Sequence, residues 1–292
     1  MKGKRFEELT LKDDFMFGIV MRNERLCRMC LERILNVRIE KLVYPEAQKN
    51  IDVAIDAKSI RLDIYTKDDH TLYNVEMQNR KNEAIPKRGR YYQDLMDLDN
   101  LKKGEDYKTL KTSIVIFICT YDYYGEGRHL YSFRNRCDQD PALEYGDETQ
   151  KYVLNTKGTM DDIPPALKRF LDYIDSGEVS DEYTKDLDQE VENVRSSKNW
   201  RLAYMTYEMK VQEERELAWK EGLEQGIEQG IEQGIGRGEY RKLATLISKK
   251  LSRGKTPEEI AEDLEEDSDT VNRICEALKT TSYDVDAAIE LL

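Results

Sequence analysis

Between residues 6 and 37 apolar side chains recur at spacings near 3.6: Phe15, Phe17, Ile19, Val20, Leu26, Met29, Cys30, Ile34 and Leu35. That spacing predicts amphipathic helix, with a break at Arg22-Asn23. Asn36 and the following Val37-Arg38-Ile39 open an extended stretch. From Ile51 to Met77 the period falls to two. Asp52–Asp56, Ile60–Thr66 and Leu72–Gln78 each alternate. Lys67–His70 is a polar turn between the last two, so these strands should pair as a hairpin. Pro86 opens a helix that runs through Leu95, Leu98 and Leu101 and ends at Gly104. Ser113–Cys119 is continuously apolar, as expected of a strand covered on both faces. Leu130–Arg136 and Gln150–Asn155 read as shorter strands, and Pro164-Pro165 starts a helix ending near Gly177.

Past residue 180 the pattern changes. Asp181–Trp219 is charged and helical, and a four-residue repeat follows, with Gly222, Gly226, Gly230 and Gly234 beside Leu223, Ile227, Ile231 and Ile235. Short helices are expected at 243–251, 257–264, 270–278 and 285–292. The chain thus divides into an α/β domain over 1–180, a charged helix and repeat over 181–238, and a small α-helical module over 239–292. Glycine inside a helix costs about 1 kcal/mol relative to alanine. A row of glycines beside an apolar stripe lets two helices approach closely, so the repeat is expected either to dimerise or to serve as a flexible tether. Lys255–Ile274 has the outline of a helix-turn-helix. Its second helix sets Asp269 and Glu276 against Arg273, which suits a protein-interaction module better than a DNA groove.

Composition narrows the function. The net charge is −13, but residues 1–160 hold 28 basic and 27 acidic side chains, and the remainder holds 18 and 32. The acidity belongs to the C-terminal part, and a basic groove in the N-terminal part is compatible with it. No apolar run approaches the ~18 residues that cross a bilayer. The basic start, Met1–Arg5, has no apolar stretch after it, which argues against a signal peptide and for the cytoplasm. Cys27 and Cys30 form a CxxC on an amphipathic helix without a second pair, so buried reduced thiols are expected. Two histidines, His70 and His129, are too few for catalysis built on several of them.

The candidate chemistry lies on the hairpin. Asp63 is on one strand; Glu76 and Gln78 are two residues apart on the next and leave the same face. Leu62, Ile64, Val75 and Met77 take the opposite face, towards a core. Three polar groups on strands that otherwise read as buried break the pattern in a way typical of functional sites. Two close carboxylates suit a hard divalent cation, which keeps water and substrate oxygens as its remaining ligands.

These residues resemble the PD-(D/E)XK motif of restriction-endonuclease-like nucleases, and the surrounding stretches resemble the Rpn branch, recombination-promoting nucleases also described as putative transposases. The matching stretches are Lys12–Phe17, Arg61–Ile64, Asn74–Gln78, Arg88–Tyr92, Leu101–Tyr107 and Ser113–Ile116, within residues 8–160. The resemblance implies a mixed central β-sheet flanked by helices, followed here by an α-helical extension. It also implies DNA cleavage with Mg²⁺ or another divalent cation such as Mn²⁺. Carried over, Asp63 and Glu76 bind metal, Gln78 takes the place of the lysine, and Asp14 adds a contact through water. Arg90 and Tyr92 contact phosphate or support the site. Leu62 stands where the motif has proline. Gln78 can orient water but brings no positive charge. The competing reading of the Asp63/Glu76/Gln78 face is a solvated hairpin; of Asp14, an N-cap or surface residue; of Arg90 and Tyr92, core support. The leading expectation is a metal-dependent DNA endonuclease in recombination, mobile-element biology or defence. The alternatives are a catalytically weak DNA-binding or regulatory protein and an oligomerising scaffold.

Overall fold

A computed structural model describes residues 4–51, 60–81 and 84–292. The alternating stretch Asp52–Asp56 lies outside the described residues, as does the side chain of Leu62. The first helical region divides where the sequence predicts. Helix α1 spans Asp14–Val20 and α2 spans Glu24–Leu35. Asn23 caps α2 by accepting from the Arg25 and Leu26 backbone N–H groups, and Asn36 ends it in the left-handed conformation. Cys27 and Cys30 are buried on the inner face of α2 as free thiols. Burial pushes the Cys27 thiol up to about 12, so it stays protonated and inert.

Six strands follow: β1 (Val43–Ile51), β2 (Ile60–Lys67), β3 (Thr71–Gln78), β4 (Thr112–Cys119), β5 (Leu130–Phe133) and β6 (Thr149–Asn155). They form one mixed sheet in the order β1-β2-β3-β4-β6-β5. The β2–β3 hairpin pairs Ile64 with Val75, and the Asp68 carboxylate closes its turn by accepting from the His70 and Thr71 N–H groups at 2.8 and 2.7 Å. Strands β3, β4 and β6 run parallel, and β1 and β5 form antiparallel edges. Strand β1 is not foreseen by alternation. Its register to β2 shifts between Val43 and Glu46, around Pro45, as befits an edge strand.

Helix α3 (Ile85–Asn100) is the crossover from β3 to β4 and covers one face of the sheet. The other face lies under α1, α2, α4 (Pro165–Ser176) and α5 (Glu182–Ser196). Ile64, Val75, Met77, Ile116 and Leu154 point into this second layer. Tyr65, Leu72, Val115, Phe117 and Val153 point at α3. The first compact unit runs to Glu208 rather than stopping at residue 180. Leu187, Val191 and Val194 of α5 are buried in its core, as is Tyr204, whose hydroxyl donates to the Lys4 carbonyl at 2.9 Å. The charged text after residue 180 is therefore amphipathic, with one face completing the α/β core.

Tyr204 lies on α6, a 54-residue helix spanning Lys198–Leu251 that includes the glycine repeat. From Met209 onward the chain forms a second unit. The end of α6 packs there with α7 (Pro257–Leu264), α8 (Ser268–Thr280) and α9 (Val285–Ile289) around Ile247, Ile260, Val271, Ile274 and Leu278. Helix α7 starts with a reciprocal cap between Thr256 and Glu259. Among the described residues no helix is long and apolar enough to cross a membrane.

The entry into β5 is pinned by His129, buried, whose backbone N–H and Nδ1 both lie 3.2 Å from Asp162 Oδ1. Gly158 backs directly onto it: a Cβ there would meet His129 Cγ at 2.4 Å and His129 Cα at 2.8 Å. Gly158→Ala is expected to destabilise the first unit by about 1–3 kcal/mol through overpacking, read as a lower urea midpoint at unchanged slope.

Candidate active site

Strand alternation places Leu72, Asn74, Glu76 and Gln78 on the α3 face of β3 and Tyr73, Val75 and Met77 on the opposite face. On β2, Ile64 faces one core and Tyr65 the other, so Asp63 leaves with Tyr65 towards α3. Asp63 and Glu76 stand opposite one another, one step beyond the Ile64–Val75 pair. Their carboxylates form a reciprocal clasp across the two strands. The Asp63 N–H donates to Glu76 Oε1 at 3.2 Å, and the Met77 N–H donates to Asp63 Oδ2 at 2.9 Å. Side-chain oxygens thus accept where ladder carbonyls ordinarily would, and both carboxylates are fixed to the backbone.

Glu76 is only 2% exposed, which excludes a solvated hairpin face. Burial first, and the Asp63 charge second, raise the proton affinity of its carboxyl well above the ordinary range; Arg88 and the Asp63 N–H oppose the rise. Asn74, two residues earlier on the same face, is fully buried, and neither amide atom has a hydrogen-bond partner of good geometry. Its amide nevertheless favours the ionised form of Glu76.

The cation beside the pair comes from α3. Arg88 reaches Glu76 Oε2 at 3.3 Å and donates to Gln78 Oε1 at 2.9 Å. Its Nε and one terminal nitrogen donate to the Tyr92 hydroxyl at 3.0 and 2.7 Å. The guanidinium also lies over the Tyr92 ring at 5.3 Å and the Phe117 ring at 5.6 Å. Gly89 lets the helix come this close, because a Cβ there would sit 3.3 Å from Phe117 Cε2. Gln78 is further fixed by donating from Nε2 to the Met77 carbonyl at 3.0 Å.

The structure therefore gathers Asp63, Glu76 and Gln78 and adds Arg88, which the sequence reading passes over in favour of Arg90. Arg90 is exposed on the same helix. Tyr92 is buried and holds Arg88, so it supports the site from within the core. The available signal is the i,i+4 spacing of Arg88 and Tyr92, which places both on the α3 flank that faces the hairpin. Asp14 lies exposed in the first turn of α1, where its Oδ2 accepts from the Tyr207 hydroxyl at 2.7 Å. Among the described residues no group of three or more His, Cys, Asp or Glu side chains is placed to hold a metal ion, so Asp14 does not complete a three-carboxylate cluster with the pair.

Chemically, the site offers one buried and one half-buried carboxylate fixed to the backbone, one guanidinium against them and a neutral amide beside both. No curated protein matches the chain, and no solved structure does. One family model does match, described as PD-(D/E)XK nuclease family transposase. It spans residues 12–138, from the segment before α1 to just past β5, and so takes in Asp63, Glu76, Gln78 and Arg88; over this segment the chain is similar to the PD-(D/E)XK nuclease family transposases.

Proposed function

We propose that this chain is a metal-dependent DNA endonuclease, acting in recombination, mobile-element biology or defence. The observation that carries the reading is the Asp63–Glu76 clasp with Arg88 against it. Mg²⁺ or Mn²⁺ fits the donor set: two adjacent carboxylates, one desolvated beyond what Arg88 offsets, beside an orphaned amide at Asn74. Asp63 and Glu76 would hold the ion; Asp14, outside direct ligation, is assigned a contact through water. A bound divalent ion would supply an activated water and neutralise charge on the scissile phosphate. The chain's own groups do the rest. Arg88 replaces the charge that Gln78 lacks and is positioned to donate to a phosphate oxygen. Gln78 orients water, Tyr92 fixes the Arg88 rotamer, and Arg90 contacts the phosphate backbone further out. We place the activity in the cytoplasm, where the free cysteines remain reduced.

We also propose that the chain is a dimer joined along α6. Leu223, Ile227, Ile231 and Ile235 are all exposed, and a Cβ on any glycine from Gly222 to Gly238 would meet nothing within 4 Å. Among the described residues nothing packs against those glycines, although each weakens the helix by about 1 kcal/mol. Residues 209–224 carry five acidic and three basic side chains, and residues 236–250 carry one acidic and five basic. An antiparallel second copy matches these charges. The four-residue period winds the stripe by ~40° per repeat, so the partner wraps around it.

Purified protein is expected to nick supercoiled plasmid with Mg²⁺ or Mn²⁺ and not in EDTA. Asp63→Ala and Glu76→Ala should abolish nicking. Arg88→Ala should slow it by about 10²–10³-fold, with partial recovery in Arg88→Lys. DNA binding without cleavage by the wild type under either metal would favour the weakly catalytic regulatory reading, and cleavage retained by Glu76→Ala would sink the site assignment.

Stability gives a test without turnover. A carboxyl whose proton affinity rises on folding costs stability as pH climbs from its ordinary value near 4.5 through its folded value, and the whole cost is present above that. In EDTA at neutral pH, Glu76→Gln should therefore melt above the wild type, because the amide keeps the acceptor for the Asp63 N–H and loses the buried charge. Adding Mn²⁺ should raise the wild-type Tm and leave that of Glu76→Gln unchanged; equal shifts in both would remove Glu76 as a ligand.

For the dimer, sedimentation equilibrium should give twice the chain mass for the wild type and a monomer for the double variant Ile227→Glu/Ile231→Glu. A wild type that remains monomeric at high concentration ends the proposal.

A further inference from the structure

The sheet carries a second feature on the face that bears the carboxylate pair. Register links Glu76 on β3 to Phe117 on β4, Val153 on β6 and Tyr131 on β5 in one row. Phe117, Val153 and Tyr131 all pack on the α3 side. Three strand spacings of ~4.8 Å put Tyr131 about 14 Å from Glu76. The neighbouring row runs from Asn74 through Val115 and Lys151 to Phe133. Tyr131 and Phe133 thus stand on the active-site face at the far edge of the sheet.

The loop between β4 and β5 folds Tyr124 over them. Its ring centroid lies 4.7 Å from that of Tyr131, 5.5 Å from Phe133 and 4.8 Å from Tyr123. The loop is tied down. Asp122 accepts from the Gly125 N–H at 2.9 Å and the Gly127 N–H at 2.8 Å, and both glycines take positive φ. His129 and Asp162 pin its far end. Yet Tyr124 remains 36% exposed and Phe133 42% exposed. A fixed cluster of rings left open on an edge strand is an aggregation hazard unless a ligand uses it.

Charge joins the ledge to the site. From Arg80 to Tyr92 the chain holds five basic and one acidic side chain, and Arg80, Lys81, Lys87 and Arg90 are exposed. Gly89 of α3 lies over Phe117, and the Gln93 amide donates to the Ser113 and Gln150 carbonyls at 2.9 and 3.2 Å. Helix α3 therefore runs antiparallel to β4, with its basic first turns at the strand ends that carry Gln78 and Cys119. Arg90, one turn before Gln93, lies on the flank facing β6 and β5.

We propose that Tyr124, Tyr131 and Phe133 form a base-stacking platform, and that the substrate is DNA with an unpaired stretch beside the bond to be cut. The bases stack on Tyr124 and Phe133 while the backbone follows Arg90 towards Asp63 and Glu76. This rests on the nuclease reading of that pair. Phe117 and Val153, between Glu76 and Tyr131 in their row, are buried beneath α3, so the DNA strand passes around the exposed basic first turn of the helix rather than straight across the sheet. Rings beside a cationic track suit single strands, whose base faces are open, whereas a blunt duplex keeps its bases paired.

The test is fluorescence anisotropy of the full chain in EDTA, with a labelled oligothymidylate and a labelled blunt duplex as separate probes. The wild type is expected to prefer the single strand. Tyr124→Ala and Phe133→Ala should each weaken single-strand binding by about five- to a hundredfold and change duplex binding by less than about twofold. Tyr124→Phe, which keeps the ring, should bind as the wild type does. Phe133 is exposed on an edge strand, so Phe133→Ala reads the platform even where Tyr124→Ala disturbs the loop. Unchanged single-strand affinity in Phe133→Ala, or equal losses on both probes, overturns the platform. Because binding is read without metal, ledge-dependent binding by a protein that never cleaves supports the platform and rejects the nuclease, whereas plasmid cleavage without ledge dependence does the reverse.

Discussion

The organising constraint is a carboxylate kept on a dry sheet face. Glu76 lies near the end of β3, between Asp63 on β2 and Phe117 on β4, and it is almost wholly buried. A lone buried charge costs several kcal/mol, so the surroundings must either offset it or leave it protonated. Here they do some of each. The Asp63 N–H donates to it, Arg88 pairs with it, and its proton affinity is still raised. The fold on this side follows from that requirement. Helix α3 must come down close enough to deliver a guanidinium, which is why Gly89 lies against Phe117 and why Tyr92 is buried with its hydroxyl turned towards Arg88.

Much of this was legible in the sequence because the sheet obeys a period of two. Alternation alone puts Asp63, Glu76 and Gln78 on one face and Ile64, Val75 and Met77 on the other, and the continuous apolar run at Ser113–Cys119 announces a central strand. Other elements were hidden for physical reasons. Strand β1 is an edge strand whose pairing stabilises it without an apolar alternation of its own, and Pro45 reads against a strand. The boundary near residue 180 followed a change in composition, but α5 hides an apolar face of Leu187, Val191 and Val194 among its charges. Arg88 and Arg90 are indistinguishable by type; the i,i+4 spacing to Tyr92 and the angle at which α3 lies on the sheet separate a half-buried cation from an exposed one.

The C-terminal unit follows a different logic. Its small core is built from short capped helices, in which Thr256, Asp267 and Asp284 each satisfy backbone N–H groups at a helix start. Asp263 collects Lys250 at 2.7 Å and also Lys255, joining the end of α6 to α7. These caps and surface pairs matter because so few apolar side chains are available. The repeat before it has neither caps nor core: its apolar side chains and its glycines are open to solvent.

The placement of the cation on a helix rather than on the strand has a consequence for how the site is assembled. A lysine at position 78 would travel with Glu76 on the same strand and be present whenever the hairpin formed. Arg88 is present only when α3 is docked, since its position depends on the contacts of Gly89 with Phe117 and of Gln93 with the Ser113 and Gln150 carbonyls. The hairpin can thus gather both carboxylates without the crossover, but not the positive charge. Loosening α3 would remove the guanidinium and also the cover that desolvates Glu76; burial is the larger of the two effects, so its proton affinity would fall back towards the ordinary carboxylate range. Docking of one helix therefore couples the ionisation of the pair to the integrity of the layer that also carries the aromatic ledge.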